Sequence, residues 1–274
     1  MFRLWALQRG IIRLTMLGLL AMAQAGFSQA ASPVLDRVVE SGVLRVAMSL
    51  SQPPFNMRNR NKTIVGFDVD LAQALADAMQ VKLEIVEIPF ADLLPSLAGD
   101  KVDAVISGIS ITPDRTRQVS FVGPYTLSGK SILTTARIKA VATSTNEFND
   151  PEIRIVALKG STSESFVKNK LPEAALASIA DYNEGIEQLL TGSVDAMVAD
   201  IPVLQLAMLQ YPGAGLAIVE PYLSVEPLGI AINKTDRQFE NLLRNYLSAF
   251  DQAGLIPRLR QKWFENNSWM ATLP

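Results

Sequence analysis

One pattern in the chain occurs twice. Leu94-x-x-Leu97-x4-Val102-Asp103-Ala104-Val105-Ile106 returns as Ile186-x-x-Leu189-x4-Val194-Asp195-Ala196-Met197-Val198, at a constant offset of 92 residues. In each copy a short amphipathic helix passes through a small polar turn, Ala98-Gly99-Asp100-Lys101 or Leu190-Thr191-Gly192-Ser193, into an apolar strand. An αβ unit used twice predicts two similar lobes with a cleft between them. The sequences after the two strands differ. The first runs into Ser107-Gly108-Ile109-Ser110-Ile111-Thr112-Pro113-Asp114-Arg115, the second into Ala199-Asp200-Ile201-Pro202. Crevices of α/β sheets open at the carboxyl ends of their strands. A cation from one lobe and an anion from the other would meet there, an arrangement suited to a zwitterion.

At 274 residues the chain has room for one large or two modest domains. Apolar residues make up 49 % and charged residues 19 %, which places the chain among globular proteins. Residues 1–30 carry Arg3, Arg9 and Arg13, a mainly apolar run from Leu14 to Ala25, and Ser28-Gln29-Ala30 with small residues at −3 and −1. That layout predicts a secretory signal peptide over residues 1–30. The run is too short for a spanning helix, which needs ~20 apolar residues, so a soluble periplasmic protein is expected. Without the three arginines the formal net charge of −2 becomes −5. A mildly acidic chain with no basic run argues against nucleic acid or anionic membrane as partner. The chain has no cysteine, which fits an oxidising compartment and leaves no site for a lipid anchor.

Strands alternating with helical patterns predict mostly parallel α/β sheets. Val43–Met48 reads as a strand, Asn59–Lys62 as a hairpin tip, and Asp68 as the cap of a helix carrying Leu71, Leu75 and Met79. Val81–Ile88 is a further strand before the first repeat. In the second half Ile153–Leu158 is a strand leading through Lys159–Ser163 to a helix. A strand near 177–180 and the second repeat follow. Val225–Ile232 reads as a connection and strand, and Asp236 as the cap of a last helix with Phe239, Leu243, Tyr246 and Phe250 inward. The expected organisation is residues 31–127 as the first part of lobe 1, residues 128–228 as lobe 2, and residues 229–274 completing lobe 1. Two linkers, near 127–131 and 226–229, would form a hinge.

Thr112-Pro113-Asp114 is helix-start chemistry: a cap, a proline at the first position and an acid in the first turn. An arginine in that turn opposes the helix dipole. Arg115 is therefore expected to hold an anion with its guanidinium fork. The ordinary reading of such a residue is a surface arginine, outweighed here by its place past a strand end opposite Asp200. Asp200 caps the helix after it and is also free to accept an ammonium. Gly160-Ser161-Thr162-Ser163 is a small-residue loop able to bind a carboxylate through amides and hydroxyls, although such loops often serve only as caps. Phe55 and Phe90 each follow a strand and are candidates to line the cleft, against the ordinary reading that they are core.

Catalytic constellations are thin. The chain has no His and no Cys, which removes Cys/His and Ser/His/Asp chemistry and a His-rich metal site. Asp68 and Asp70 read as helix-start charges. There is no Walker loop and no G-x-G-x-x-G, and no cofactor is expected.

Val43-Leu44-Arg45-Val46, Pro53-Pro54-Phe55, Gly66-Phe67-Asp68-Val69-Asp70-Leu71-Ala72, the run from Asp103 to Arg115, and Lys262-Trp263-Phe264 resemble the family 3 periplasmic solute-binding proteins of amino-acid ABC transporters. The resemblance implies a two-lobed periplasmic-binding-protein fold of type II that closes on an amino acid and, as a monomer, delivers it to a membrane-embedded permease. It further implies that Arg115 holds the ligand α-carboxylate with help from Ser110 and Thr162. By the same token Asp200 takes the α-ammonium, Gly108 offers its carbonyl, and Phe90 packs on the side chain. Periplasmic cyclohexadienyl dehydratases use the same fold and are the enzymatic alternative. Sensory modules of this fold normally continue into a membrane segment. The chain departs from the family pattern at Gln52, where many members carry an aromatic, and at Ser49, where others carry Asp or Arg; its C-terminal tail from Asn266 is also longer. Since neither Ser49 nor Gln52 brings a charge, a neutral polar amino acid is expected in preference to a cationic or acidic one. Arg58, Arg60 and Glu226 are the residues able to swing in and reverse that.

Overall fold

A computed structural model describes residues 32–135, 144–220, 222–266 and 268–273. The expected signal peptide lies outside the described residues. The chain opens with helix α1 (Pro33–Ser41) and strand β1 (Val43–Met48), then a small antiparallel sheet of β2 (Ser51–Gln52), β3 (Asn56–Arg58) and β4 (Ile64–Val65). Helix α2 (Phe67–Ala78) and β5 (Lys82–Glu87) precede the first repeat, which becomes helix α3 (Leu93–Ala98) and strand β6 (Ala104–Val105). A single turn, α4 (Pro113–Thr116), leads to the long strand β7 (Ser120–Thr135). The second half contains β8 (Arg154–Leu158), α5 (Thr162–Lys170), β9 (Ala175–Ile179), α6 (Tyr182–Leu190), β10 (Ala196–Asp200), α7 (Ile201–Gln210) and β11 (Leu216–Ile218). Strand β12 (Ser224–Ile232) and helices α8 (Arg237–Gln252) and α9 (Leu255–Arg260) complete it.

The main sheet runs β5-β1-β6-β12-β7-β10-β8-β9, with β11 on β7. Pairing is parallel within β5-β1-β6 and within β10-β8-β9, and antiparallel where β12 and β7 join the two sets. The segments expected as linkers are therefore strands. Lys130 pairs with Ser224, Ser128 with Glu226 and Thr126 with Leu228, so the two crossings form one hydrogen-bonded ribbon. Its register shifts between Leu228 and Ile230. The pairing was hidden because each strand's partner lies about a hundred residues away in sequence.

The repeat is structural. Helices α3 and α6 sit before β6 and β10, and Leu93, Leu97, Val102 and Val105 share one buried cluster with Ile186, Leu189, Val194 and Met197. Fully burying such a side chain is worth about 1.5–3 kcal/mol. Each copy also builds the same clamp. The Arg45 amide and guanidinium both donate to Asp103, and the Arg154 amide and guanidinium both donate to Asp195. In return each aspartate amide donates to the arginine carbonyl, at 2.9 Å in both copies. The clamp locks the first strand of each lobe to the strand of the repeat. A second cluster packs β1 and α2 under α8, with Phe239 and Leu243 buried, and a third fills the far side of β8 and β10. The C-terminal tail is docked: Trp269 lies 5.2 Å from Trp263, and Arg60 donates to the carbonyls of Thr272 and Leu273.

Candidate functional site

Beyond β6 the chain must turn sharply. Gly108 has φ 53°, a left-handed conformation that glycine adopts without a Cβ penalty. Its amide donates to Asp68 at 2.8 Å. The following residues attach to the ribbon: the Gly229 amide donates to Ile109, Ser110 bridges Leu228, and the Ile111 amide donates to Pro227. Thr112 then caps α4, its hydroxyl accepting from the Arg115 amide at 3.3 Å. The helix-start reading of this segment thus describes how Arg115 is presented.

The Arg115 guanidinium donates to the Ser110 carbonyl at 2.9 Å and to the Gly160 carbonyl at 3.2 Å, one from each half of the chain. It stands 5.8 Å from the centre of the Phe90 ring, within cation–π range. Burial lowers its pKa from the ordinary value, and the charges of Glu226 and Asp200 oppose that shift. A pocket of about 270 Å³ opens against Phe90, Ile109, Arg115 and Gly160.

Asp200 ends β10 and occupies the N-cap position of α7, but its side chain makes no cap hydrogen bond. It accepts from Ser128 at 3.2 Å and from the Tyr182 hydroxyl at 3.4 Å. Burial pushes its pKa up, with Lys130 working against the rise. Thr162 opens α5, while the neighbouring Ser161 is its N-cap and accepts from the Glu164 amide at 3.1 Å. The hydroxyl of Ser161 is thus spent on the helix.

Ser49 and Gln52 belong to a buried polar network. Gln52 accepts from Ser107 at 3.0 Å and from Ser49 at 3.3 Å, and Asn56 joins them through Ser49 and the Leu50 amide. Phe55 packs in the core, its ring 5.3 Å from that of Phe264. Arg58 is turned away to Glu87, and Arg60 to the tail.

Two charged residues that pattern reasoning undervalued stand at the centre. Lys130 on β7 is 1 % exposed, with its ammonium 2.5 Å from Glu226 Oε1 as an ion pair and not a well-directed hydrogen bond. Glu226 Oε2 accepts from Ser110 Oγ at 2.5 Å and from Thr162 Oγ1 at 2.8 Å, while Oε1 accepts from Ser224 at 3.2 Å. Burial works to raise the Glu226 pKa, but Lys130 and the hydroxyls outweigh it and hold the carboxyl below its ordinary value. The signal for Lys130 was a lone charge within an otherwise uncharged strand. Arg115, Asp200, Ser110, Thr162, Glu226 and Lys130 form one polar centre, flanked by Phe90, where the two halves of the sheet meet.

Asp68 departs from its expected role. Helix α2 is capped by Gly66 and not by Asp68, whose buried carboxylate accepts from Asn56 at 2.9 Å, Tyr125 at 3.0 Å and the Gly108 amide. Burial raises its pKa from 3.8 to about 6, against the hydrogen bonds that favour the anion. The unfolded chain loses this proton near pH 3.8 and the folded chain near pH 6. Between those values the folded state binds the extra proton, so this contribution to stability falls as pH rises. Asp68→Asn is expected to abolish that component. Urea denaturation at pH 4 and pH 7 should show wild type gaining up to about 3 kcal/mol over the variant on acidification. Equal differences at both pH values would refute it.

Comparison with known proteins adds a further constraint. Residues 44–266 match the model of the bacterial extracellular solute-binding proteins, family 3. The chain is 31 % identical over 253 residues to the cyclohexadienyl dehydratase of Pseudomonas aeruginosa, covering 91 % of this chain and 92 % of that protein. It is 30 % identical over 225 residues to the ABC transporter arginine-binding protein 1 of Escherichia coli, covering 81 % and 90 %. Among solved structures, an ancestral amino acid-binding protein described as a precursor of cyclohexadienyl dehydratase superposes with TM-score 0.78 at 33 % identity, over 84 % of this chain and 99 % of that one.

Proposed function

Because the chain belongs to the bacterial extracellular solute-binding proteins of family 3, we propose that it captures a neutral polar amino acid in the periplasm by closure of its lobes and hands it to an ABC permease. The observation that carries this reading is the convergence of Arg115 and Asp200 from the two halves of the chain on one buried centre. There each charge acts on the other. A zwitterion supplies the two opposite charges that these residues lack in each other. Arg115 takes the α-carboxylate, Asp200 the α-ammonium, and Phe90 and the Gly108 carbonyl border the side chain. Neutrality of the side chain follows from the charges left over. Lys130 is already committed to Glu226, and Ser49 and Gln52 offer only hydroxyl and amide groups. A buried side-chain charge would lack a partner, which costs several kcal/mol.

A thermal-shift screen of the twenty amino acids followed by competition calorimetry tests this. The expected result is stabilisation by a neutral polar amino acid ahead of arginine, lysine and aspartate. A clear preference for arginine or lysine would overturn the side-chain assignment and leave the α-group clamp standing.

A catalytic reading has its own support in the dehydratase relative and in Asp200, a buried carboxyl pushed toward the protonated form. A dehydration step needs a proton donor in the cleft, and burial moves this carboxyl in that direction. The binding reading is preferred because the family is one of solute-binding proteins and the opposite charges of Arg115 and Asp200 together suit a zwitterion. Incubation with prephenate or arogenate separates the two readings: turnover above the uncatalysed rate identifies an enzyme.

A further inference from the structure

Glu226 holds the two hydroxyls expected to serve a ligand carboxylate, and its hydrogen bonds leave them no proton for a second one. A hydroxyl has a single proton to donate. Both the Ser110 and the Thr162 hydroxyl give theirs to Glu226 Oε2, at 2.5 and 2.8 Å. These are the two hydroxyls that would assist Arg115 in holding an α-carboxylate. Two carboxylates on one hydroxyl pair would repel each other at contact distance and share too few protons. The three residues also come from three parts of the fold: Ser110 follows β6, Thr162 opens α5, and Glu226 lies on the ribbon strand β12.

We infer that Glu226 is a built-in competitor for the carboxylate seat of this cleft. A ligand carboxylate binds by displacing it from Ser110 and Thr162, and the same contact holds the empty cleft closed. This rests on the reading of the cleft as an amino-acid site. Displacement leaves Glu226 with partners, since Lys130 at 2.5 Å and Ser224 at 3.2 Å both contact its other oxygen. The exchange therefore does not strand a buried charge, the circumstance that makes breaking a buried pair so costly. Glu226 thus sets ligand affinity without contributing an attractive contact to the bound carboxylate.

The test uses Glu226→Gln together with the double variant Lys130→Met/Glu226→Met, which removes both charges should the single change leave Lys130 unpaired and the fold damaged. Calorimetry with L-glutamine and L-arginine should give binding about tenfold tighter or more in the variants, the scale of one charge-assisted hydrogen bond. The chain contains no cysteine, so Asn61→Cys and Asn169→Cys, both at exposed positions, can carry spin labels on the two lobes. In protein refolded to strip any carried ligand, pulsed electron-spin distances should be short in the background with Glu226 intact and longer once Glu226 is replaced. Affinity that stays equal or weakens, or distances that do not lengthen, overturns the proposal. Should none of the twenty amino acids bind any form, the amino-acid reading fails by itself, and the distances alone decide whether Glu226 holds the cleft shut.

Discussion

Arg115→Ala is expected to weaken amino-acid binding by roughly thirtyfold to several thousandfold while leaving the melting temperature nearly unchanged. Removing one member of a desolvated, hydrogen-bonded charge pair costs about 2–5 kcal/mol, and ~1.4 kcal/mol is a factor of ten. Much of that cost comes from the ligand carboxylate left buried without a cation. The fold should survive, because among the described residues the guanidinium donates to the carbonyls of Ser110 and Gly160, and the latter contact is exposed. Water can replace that contact. Calorimetry against the amino acid identified by thermal shift gives the measurement, and an unchanged affinity would remove Arg115 from the site. Asp200→Asn tests the other pole: it should penalise an amino acid more than the same carboxylate lacking its amine.

The largest effect on stability is expected from Gly66→Ala. Gly66 has φ 144° at the N-cap of α2, and a Cβ there would lie 2.1 Å from the Phe55 carbonyl oxygen and 2.6 Å from its carbon. Both are backbone atoms, so no rotamer change relieves the clash. The carbonyl cannot retreat freely either, because it accepts from the Asp68 amide at 2.8 Å and so holds the first turn of α2. A loss of about 3–5 kcal/mol, roughly 10 °C in Tm, should appear by calorimetry. Gly213→Ala, where the added carbon would meet nothing within 4 Å, is the control and should change stability by less than about 0.5 kcal/mol. A Tm for Gly66→Ala within a degree or two of wild type would contradict this account.

What the sequence made legible was local or periodic. The αβ repeat could be read because a helix, a turn and a strand lie in one window, and Arg115 because a misplaced charge in a helix start shows at once. What stayed hidden depended on partners far along the chain. Asp68 looks like a first-turn acid, yet its carboxylate is buried by Asn56, Tyr125 and Gly108. Lys130 and Glu226 meet only because β7 and β12 pair, and sequence periodicity does not say which strands become neighbours. The Arg45–Asp103 and Arg154–Asp195 clamps belong to the same class. Each aspartate is visible within the repeat, but its arginine lies 58 or 41 residues away. Phe55 and Phe90 show the limit for apolar residues. Both follow a strand, and only packing separates the one against Phe264 from the one beneath Arg115.

The ribbon of β7 and β12 carries a consequence for how the molecule can be tuned. Two loops would give the lobes many independent ways to move, whereas two strands bonded edge to edge bend and twist as one object. On the proposed reading, opening of the cleft would reduce to a single coordinate, and a group that stiffens or relaxes the ribbon would act on it. Leu127 and Val225 project from it into solvent, 63 % and 77 % exposed, on the ribbon that also carries Lys130 and Glu226. If the proposed closure holds, substitutions at these two positions would bear on the balance of open and closed forms, and with it the apparent affinity, from outside the polar centre.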